Sequence, residues 1–204
     1  MHRSSRVDAV HELEEMMRLI IAITGASGVA YAKRLLQVLR EKNVETHLLV
    51  SRNGRKVIST EDGNIEEYSK LAAFVHQEDD LGAPITSGSF AVDGMVIVPC
   101  STSTLSAIAH GISDNCIRRA AEVTLKERRP LVVVPRETPL TTIHIQSMMQ
   151  LSLAGAIILP AMPAFYFAPK GIGDLIDYVV GKILDVLKVS HNLFRRWSES
   201  NERS

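Results

Sequence analysis

The chain has 204 residues, 46% of them hydrophobic and 23% charged, a composition that suits one globular domain with a substantial core. Lys plus Arg equals Asp plus Glu at 23 each, which excludes the bulk basic field that holds nucleic acid. Because no apolar run is long enough to cross a membrane and two cysteines are too few for a disulfide framework, we expect a cytoplasmic protein without nucleic-acid, membrane or metal partners.

Apolar runs alternate with amphipathic stretches, which is the pattern of strand–helix–strand units and a parallel sheet. We predict strands at 18–24, 45–51, 92–98, 130–135 and 156–160, helices at 28–42, 53–60, 103–110, 114–127, 141–153 and 172–188, and a loop-rich excursion over 61–90. Residues 95–98 and 131–134 are apolar throughout, as expected for strands covered on both faces. The prediction is therefore an α/β domain over 17–197 with a mostly parallel sheet between helical layers, an N-terminal extension over 1–16 and a polar tail over 198–204.

The first predicted strand ends in a turn of small residues. Its apolar run leads into Gly25, Ala26, Ser27 and Gly28, and helical periodicity follows. Such a turn offers unpaired backbone N–H groups and the positive end of a helix dipole to an anion, so we expect a nucleotide or another phosphate ester. The spacing lacks the full G-x-G-x-x-G fingerprint and no acidic residue ends the second strand, which favours a mononucleotide over a dinucleotide.

Polar residues also follow the later strands. Ser51 follows the second strand, a run of four hydroxyl residues at 101–104 follows the third, and Arg136 and Glu137 follow the fourth. Because ligands of open α/β sheets bind outside the carboxyl ends of the strands, we expect these side chains to meet. Hydroxyls suit a phosphate and a polar heterocycle, and Arg136 adds a permanent positive charge. Taken alone, the run at 101–104 is also typical of a helix cap.

Six short motifs follow one another along the chain: TGASG at 24–28, PCST at 99–102, RAA at 119–121, LKERRPL at 125–131, VPRETP at 134–139 and PAFY at 163–166. In this order they resemble the UbiX-type flavin prenyltransferases, and the resemblance extends nearly end to end from 17 to 197. The resemblance implies a single Rossmann-like or flavodoxin-like domain that joins a dimethylallyl group to reduced FMN. It further implies a homo-oligomer, commonly a dodecamer, whose product serves a UbiD-type decarboxylase.

The same resemblance implies roles for residues at the matching positions. The implied FMN contacts are Gly25, Ala26, Ser27, Ser51, Ser101, Thr102, Ser103, Thr104 and Arg136. The implied contacts of the prenyl phosphate are Arg119, Lys126, Arg136, Tyr166 and Lys182. Glu61 and Glu137 match acidic groups that handle protons, and Trp197 matches an aromatic residue near the prenyl pocket. Ser103 departs from the pattern, because relatives often carry glycine there.

The side chains themselves supply what such a transfer needs. A leaving phosphate requires cations, which the basic residues of this set provide, and protons require carriers, for which Glu137, Glu61 and Ser27 are candidates. Tyr166 and Trp197 offer ring faces to a developing allylic cation, worth about 0.5 to 2 kcal/mol each. No Asp-rich motif or metal-ligand spacing occurs, so dimethylallyl monophosphate fits better than a magnesium-bound diphosphate.

Two other functions remain open from the sequence. An FMN-dependent decarboxylase of the cysteine-decarboxylase type shares this kind of scaffold and typically depends on a histidine early in the chain, whereas the helix after Gly28 offers Tyr31 and no histidine. A non-catalytic flavin carrier would need neither Glu137 nor Tyr166. We expect Tyr166, Trp197 and Arg119 to reach the flavin from neighbouring chains.

Overall fold

The computed structural model describes residues 16–197. Its strands are β1 Arg18–Ile23, β2 Glu45–Val50, β3 Phe74–His76, β4 Gly94–Cys100, β5 Leu131–Pro135 and β6 Ile157–Ile158. Its helices are α1 Val29–Glu41, α2 Arg52–Glu61, α3 Ile65–Leu71, α4 Thr102–Ala109, α5 Cys116–Lys126, α6 Thr142–Leu153 and α7 Ile172–Val186, with a short 3₁₀ turn at Pro84–Thr86. The predicted tail, and the predicted N-terminal extension except Met16, lie outside the described residues.

All strand pairs of this sheet are parallel, in the order β3-β2-β1-β4-β5-β6. This is the strand order of Rossmann-like doubly wound sheets, so the predicted fold class is confirmed. No helix within residues 16–197 is both long and apolar enough to cross a membrane.

The alternation of side chains along β1 explains the three layers. Leu19, Ile21 and Ile23 pack with residues of α1 and α7 in one core, whereas Ile20 and Ala22 pack with residues of α4 and α5 in another. Every one of these side chains is buried, and burial of one large aliphatic side chain stabilises a fold by about 1.5 to 3 kcal/mol. Strand β1 therefore lies between two cores, and packing on both faces holds its carboxyl end in place.

The prediction for 61–90 is partly wrong. This segment contains α3 and the edge strand β3 before the expected loop begins. Helix α3 has seven residues, too few to display a helical period, and is capped by the Asn64 side chain. Strand β3 has three residues, of which Phe74 and Val75 are exposed, so it carries no buried apolar run. Strand β4 also runs further than expected and includes Pro99 and Cys100.

Candidate active site

The strand order reverses at the boundary between β1 and β4. At such a point the connections leave in opposite directions and a crevice opens outside the strand ends. Thr24 ties the two ends together: its backbone N–H and its hydroxyl both donate to the Pro99 carbonyl, at 3.2 and 3.0 Å. The same hydroxyl oxygen accepts from the Ser101 N–H at 2.7 Å. Because Thr24 is buried, the turns after β1 and β4 are fixed relative to each other.

A cavity of about 380 Å³ opens at these strand ends, a size typical of small-molecule sites. It is lined by Gly25, Ala26, Ser27, Lys56, Val57, Thr60, Glu61, Ser101, Thr102, Arg136 and Glu137. The structure therefore brings together the polar residues that follow β1, β4 and β5, as the strand-end argument expects. Lys56, Val57 and Thr60 are additional; they share one face of α2 with Glu61, and nothing in their local pattern distinguishes them from surface residues.

Two glycines shape the turn after β1. A Cβ atom added to Gly25 would lie 2.6 Å from the Cβ of Asn53, so any other residue there would push the start of α2 away. Gly28 has φ of +103°, a backbone conformation that side chains with a Cβ rarely adopt. Glycine at 25 thus lets α2 form one wall of the cavity, and glycine at 28 turns the chain into α1.

Glu61 occupies the N-terminus of α1. Its carboxylate accepts hydrogen bonds from the Gly28 and Val29 N–H groups at 2.9 and 3.2 Å. Partial burial raises the pKa of Glu61, but hydrogen bonds from the Ser27 side chain and these two N–H groups, with the charge of Arg136, outweigh it and hold the pKa below its usual value. The expectation that this helix end offers unpaired N–H groups to a ligand is therefore wrong for Gly28 and Val29, because the protein supplies its own anion there.

The hydroxyls after β2 and β4 also cap helices. Ser51 is buried, and its oxygen accepts from the Gly54 N–H at 2.9 Å at the start of α2. Ser101 accepts from the Thr104 N–H at 3.3 Å and donates to the Thr104 hydroxyl at 3.1 Å. Capping is thus confirmed for the run at 101–104, with Ser101 lining the cavity as well. Ser51, Ser103 and Thr104 do not line it, and their contact with flavin stays a prediction.

Arg136 and Glu137 project from the end of β5. Both side chains are exposed. The Arg136 N–H donates to the Cys100 carbonyl at 3.4 Å, which holds this turn beside the end of β4. The Glu137 carboxylate accepts from the Thr138 N–H at 3.0 Å. A permanent cation and a carboxyl group thus stand side by side at the mouth of the cavity.

Arg119 and Lys126 lie elsewhere, on α5. Arg119 pairs with Glu122 at 2.9 Å, and Lys126 pairs with the neighbouring Glu127. Neither lines the cavity at the strand ends; Lys126 lines a larger trough of about 640 Å³ between α5 and the end of α6. Despite its size, that trough does not hold the strand-end residues. Within a single chain, the structure does not bring these two cations to Arg136.

The remaining predicted residues gather at a third place, near α7. The Tyr166 and Trp197 rings meet edge to face with their centroids 5.2 Å apart. Lys182 lies 3.6 Å from the Asp185 carboxylate on the same helix. None of the three lines the cavity at the strand ends.

Comparison with known proteins identifies the family. The family model described as Flavoprotein matches residues 8–189. The protein called flavin prenyltransferase UbiX from Methanocaldococcus jannaschii is 48% identical over 182 residues, which cover 89% of this chain and 98% of that protein. The chain belongs to the UbiX flavin prenyltransferase family.

Solved structures of UbiX-type proteins have the same fold. AnUbiX (PadA1), crystallised with FMN and dimethylallyl pyrophosphate, superposes with a TM-score of 0.88 at 46% identity, covering 89% of this chain and 97% of that one. A dodecameric FMN-dependent UbiX-like decarboxylase from Escherichia coli O157:H7 superposes with a TM-score of 0.87 at 45% identity, covering 89% and 99%. The recognised family and the predicted fold are both confirmed.

The cysteine decarboxylases are more distant. The peptidyl-cysteine decarboxylase EpiD superposes with a TM-score of 0.62 at 15% identity, covering 85% of this chain and 99% of that one, a likeness that shows the fold alone. Tyr31, which stands in the helix where a histidine is expected for that chemistry, is half-buried, and burial raises its pKa. Nothing in the site favours this alternative over the UbiX family.

Proposed function

We propose that this chain joins the dimethylallyl group of dimethylallyl monophosphate to reduced FMN, and so acts as a prenyltransferase. The observation that carries the proposal is the cavity at the strand ends, where Glu61, Arg136 and Glu137 stand around a turn of small residues. Its support from relatives is the 46% identity to a structure that contains FMN and dimethylallyl pyrophosphate.

The residues of the cavity fit a flavin mononucleotide. Gly25 and Ala26 leave the backbone open to a flat ring, the hydroxyls of Ser101 and Thr102 supply hydrogen bonds, and Arg136 supplies a charge for the phosphate. When bound, reduced FMN supplies the electron-rich ring atoms that accept the prenyl group. The protein's part is to bind, orient and protect the two reactants.

The cavity is lined by two cations, Lys56 and Arg136, whereas three of the cations matched to the donor phosphate lie outside it. Arg136 offers planar, bidentate contact, and Lys126 and Lys182 are mobile point charges. In one chain Arg119, Lys126 and Lys182 are each engaged with a carboxylate of their own helix or its end. We therefore infer that they hold the phosphate only in an assembly, where a second chain brings them to the strand ends of the first.

An assembly is supported by apolar surface on α6. Ile145, Met149 and Leu153 lie four residues apart on one face of this helix and are 53%, 57% and 81% exposed, and a row of exposed apolar side chains is typical of a contact with another protein surface. The related Escherichia coli protein is dodecameric. We propose the same kind of homo-oligomer here, with Tyr166, Trp197 and Arg119 reaching the flavin from neighbouring chains.

Proton transfer falls to the carboxyl groups. Glu137 is exposed beside Arg136, so it can protonate the leaving phosphate or take a proton from the flavin. Glu61 is held as a carboxylate by its hydrogen bonds, with the Ser27 side chain among its donors, and this pair forms a relay next to the ring site. Tyr166 and Trp197 present ring faces that stabilise developing positive charge on the allylic carbons.

The product is proposed to serve a UbiD-type decarboxylase in the cytoplasm. Free thiols at Cys100 and Cys116, both buried, agree with a reducing compartment. We assign the prenyl donor as the monophosphate, because the proposed contacts are side-chain cations and require no metal.

The test is an anaerobic incubation of the purified protein with reduced FMN, dimethylallyl monophosphate or diphosphate, and a chelator, followed by mass spectrometry of the flavin. The proposal predicts a flavin heavier by one C5 unit with the monophosphate and in the presence of chelator. Glu137→Gln serves as the matched variant: it keeps the size of the side chain and removes its proton chemistry, so it should slow transfer and spare FMN binding. Unchanged flavin with both donors, with or without metal, would contradict the proposal.

A further inference from the structure

The last described segment, 191–197, is fastened to α7. Phe194 lies against Gly181 so closely that a Cβ there would come within 2.5 Å of the ring. The same ring contacts Tyr178, with centroids 4.9 Å apart. Packing on this scale fixes the direction in which the chain leaves α7, since interiors tolerate little displacement.

Asp185 is the polar centre of this attachment. One of its carboxylate oxygens accepts from His191 Nε2 at 3.1 Å and from Arg196 Nη2 at 2.7 Å, and the other accepts from Arg196 Nη1 at 3.1 Å. The two hydrogen bonds from Arg196 form a bidentate pair, the strongest arrangement available to these groups. They are the main reason why the pKa of Asp185 lies below its usual value.

His191 is the buried part of this attachment. Its side chain is 2% exposed, and its Nδ1 accepts from the Leu193 N–H at 3.2 Å. When Nδ1 accepts, Nε2 is the donor to Asp185, so both ring nitrogens have a hydrogen-bond partner. The ring is a bridge between the carboxylate on α7 and the backbone of the terminal segment.

This attachment determines where Trp197 lies. Trp197 directly follows Arg196, and its ring stands 5.2 Å from Tyr166. Tyr166 in turn contacts Tyr178 of α7 at 6.2 Å. The pair that we place beside the allylic group is therefore made of two segments that meet over α7, and one of them is held there through Asp185.

We propose that Asp185 is a positioning residue for prenyl transfer, which acts by holding Arg196 and His191 so that Trp197 faces Tyr166. The role of the aromatic pair rests on the proposed function, whereas the tether between Asp185 and Trp197 rests on the contacts above. In Asp185→Asn an amide NH₂ takes the place of one of the two oxygens that accept from Arg196, and the charge that attracts the guanidinium is removed, so residues 196 and 197 should detach from α7.

The experiment uses Trp197 as its own probe, because it is the single tryptophan of the chain. Asp185→Asn is compared with Asp177→Asn, a matched control on the same helix whose carboxylate pairs with Arg34 of α1 instead. Because Trp197 is already 63% exposed, the readout is the mobility of its ring rather than its exposure. In the full-length protein, the fluorescence anisotropy of Trp197 should be lower in Asp185→Asn than in wild type, and equal in Asp177→Asn and wild type. Equal anisotropy in all three would overturn the tether.

Turnover is measured on the same proteins. A small misplacement of a reacting group lowers rates by about tenfold to a hundredfold, so kcat should fall by this factor in Asp185→Asn with FMN affinity unchanged. Lys182 also lies 3.6 Å from Asp185, so Asp185→Asn could lower kcat through Lys182 or through Trp197. The double variant with Trp197→Ala separates these two effects. If Asp185 acts through Trp197, Asp185→Asn should lower kcat little further in a protein that already carries Trp197→Ala. A double variant whose loss in kcat equals the product of the two single losses would overturn the proposal.

Arg196→Met is the second variant, in case Asp185→Asn fails to fold. It removes the same tether from a partly exposed side chain and leaves the contact between His191 and Asp185 intact. The same fall in anisotropy and fall in kcat are expected, and wild-type values for both would count against the proposal. Should wild type itself transfer no prenyl group, the proposed function fails, and the anisotropy comparison still decides whether Asp185 holds Trp197.

Discussion

The Glu61 carboxylate lies at the first turn of α1, where the sequence pattern predicts a bound phosphate. The carboxylate accepts from two backbone N–H groups of the first turn, which have no partner within the helix. One of them, that of Gly28, is 33 residues away along the chain. This contact fixes α2 against α1 on one side of the cavity. A residue matched to proton handling therefore also stabilises the turn on which the flavin is proposed to lie.

Replacing Glu61 by Gln should destabilise the fold in a way that depends on pH. The folded-state pKa of Glu61 lies below 4.5, so its stabilisation is fully present above about pH 5 and is lost as the pH falls through the lowered value. For a solvent-exposed carboxylate at a helix N-terminus we expect a difference of about 0.5 to 1 kcal/mol at neutral pH.

Urea unfolding of wild type and Glu61→Gln at several pH values measures this difference. Glu41→Gln, an exposed change at the other end of α1, is the control and should shift stability by less than about 0.5 kcal/mol. A gap between wild type and Glu61→Gln that stays constant down to pH 3, or grows as the pH falls, would show that the carboxylate does not cap α1.

At the scale of elements, the ends of β1, β4 and β5 were predictable and the wall formed by α2 was not. Parallel strands place their carboxyl ends at one edge of a sheet, so residues 25–27, Ser101 and Arg136 meet for a reason that is visible in the sequence. Lys56 and Thr60 lie in the site because the start of α2 packs against Gly25. No local pattern in the sequence indicates this contact. Short elements such as α3 and β3 could not be predicted for the same reason, since their positions depend on tertiary packing.

Gly25 tests whether the approach of α2 shapes the site. In Gly25→Ala the new methyl group would lie 2.6 Å from the Cβ of Asn53, so α2 must shift, at a cost of about 1 to 3 kcal/mol. FMN affinity should fall together with thermal stability. Gly173→Ala in α7, where a Cβ meets no atom within 4 Å, is the control and should keep wild-type affinity.

Calorimetry of FMN binding and thermal unfolding of both variants provide the measurement. Removing the Cβ of Asn53 in the double variant with Asn53→Gly should restore part of the affinity, because the clash then disappears. Wild-type affinity in Gly25→Ala would mean that α2 does not press on the flavin turn.

At the scale of the whole molecule, the predicted site is divided among three places. The cavity holds the strand-end residues, α5 holds Arg119 and Lys126, and the region around α7 holds Tyr166 and Trp197. The motifs predict which residues serve one reaction, but a single chain does not show how they meet. We propose that contacts between chains bring them together, and such contacts leave no local pattern in the sequence.

The central claim is that prenyl transfer occurs at the strand ends of one chain and is completed by cations of another. This is tested by mixing two slowed variants, Glu137→Gln and Arg119→Met, that carry different affinity tags, and purifying the mixed oligomers. With random assembly, about a quarter of the sites receive both intact side chains when these come from different chains. We expect mixed oligomers to form prenylated flavin at about that fraction of the wild-type rate. Mixed oligomers no more active than either parent would show that both side chains of a site come from one chain.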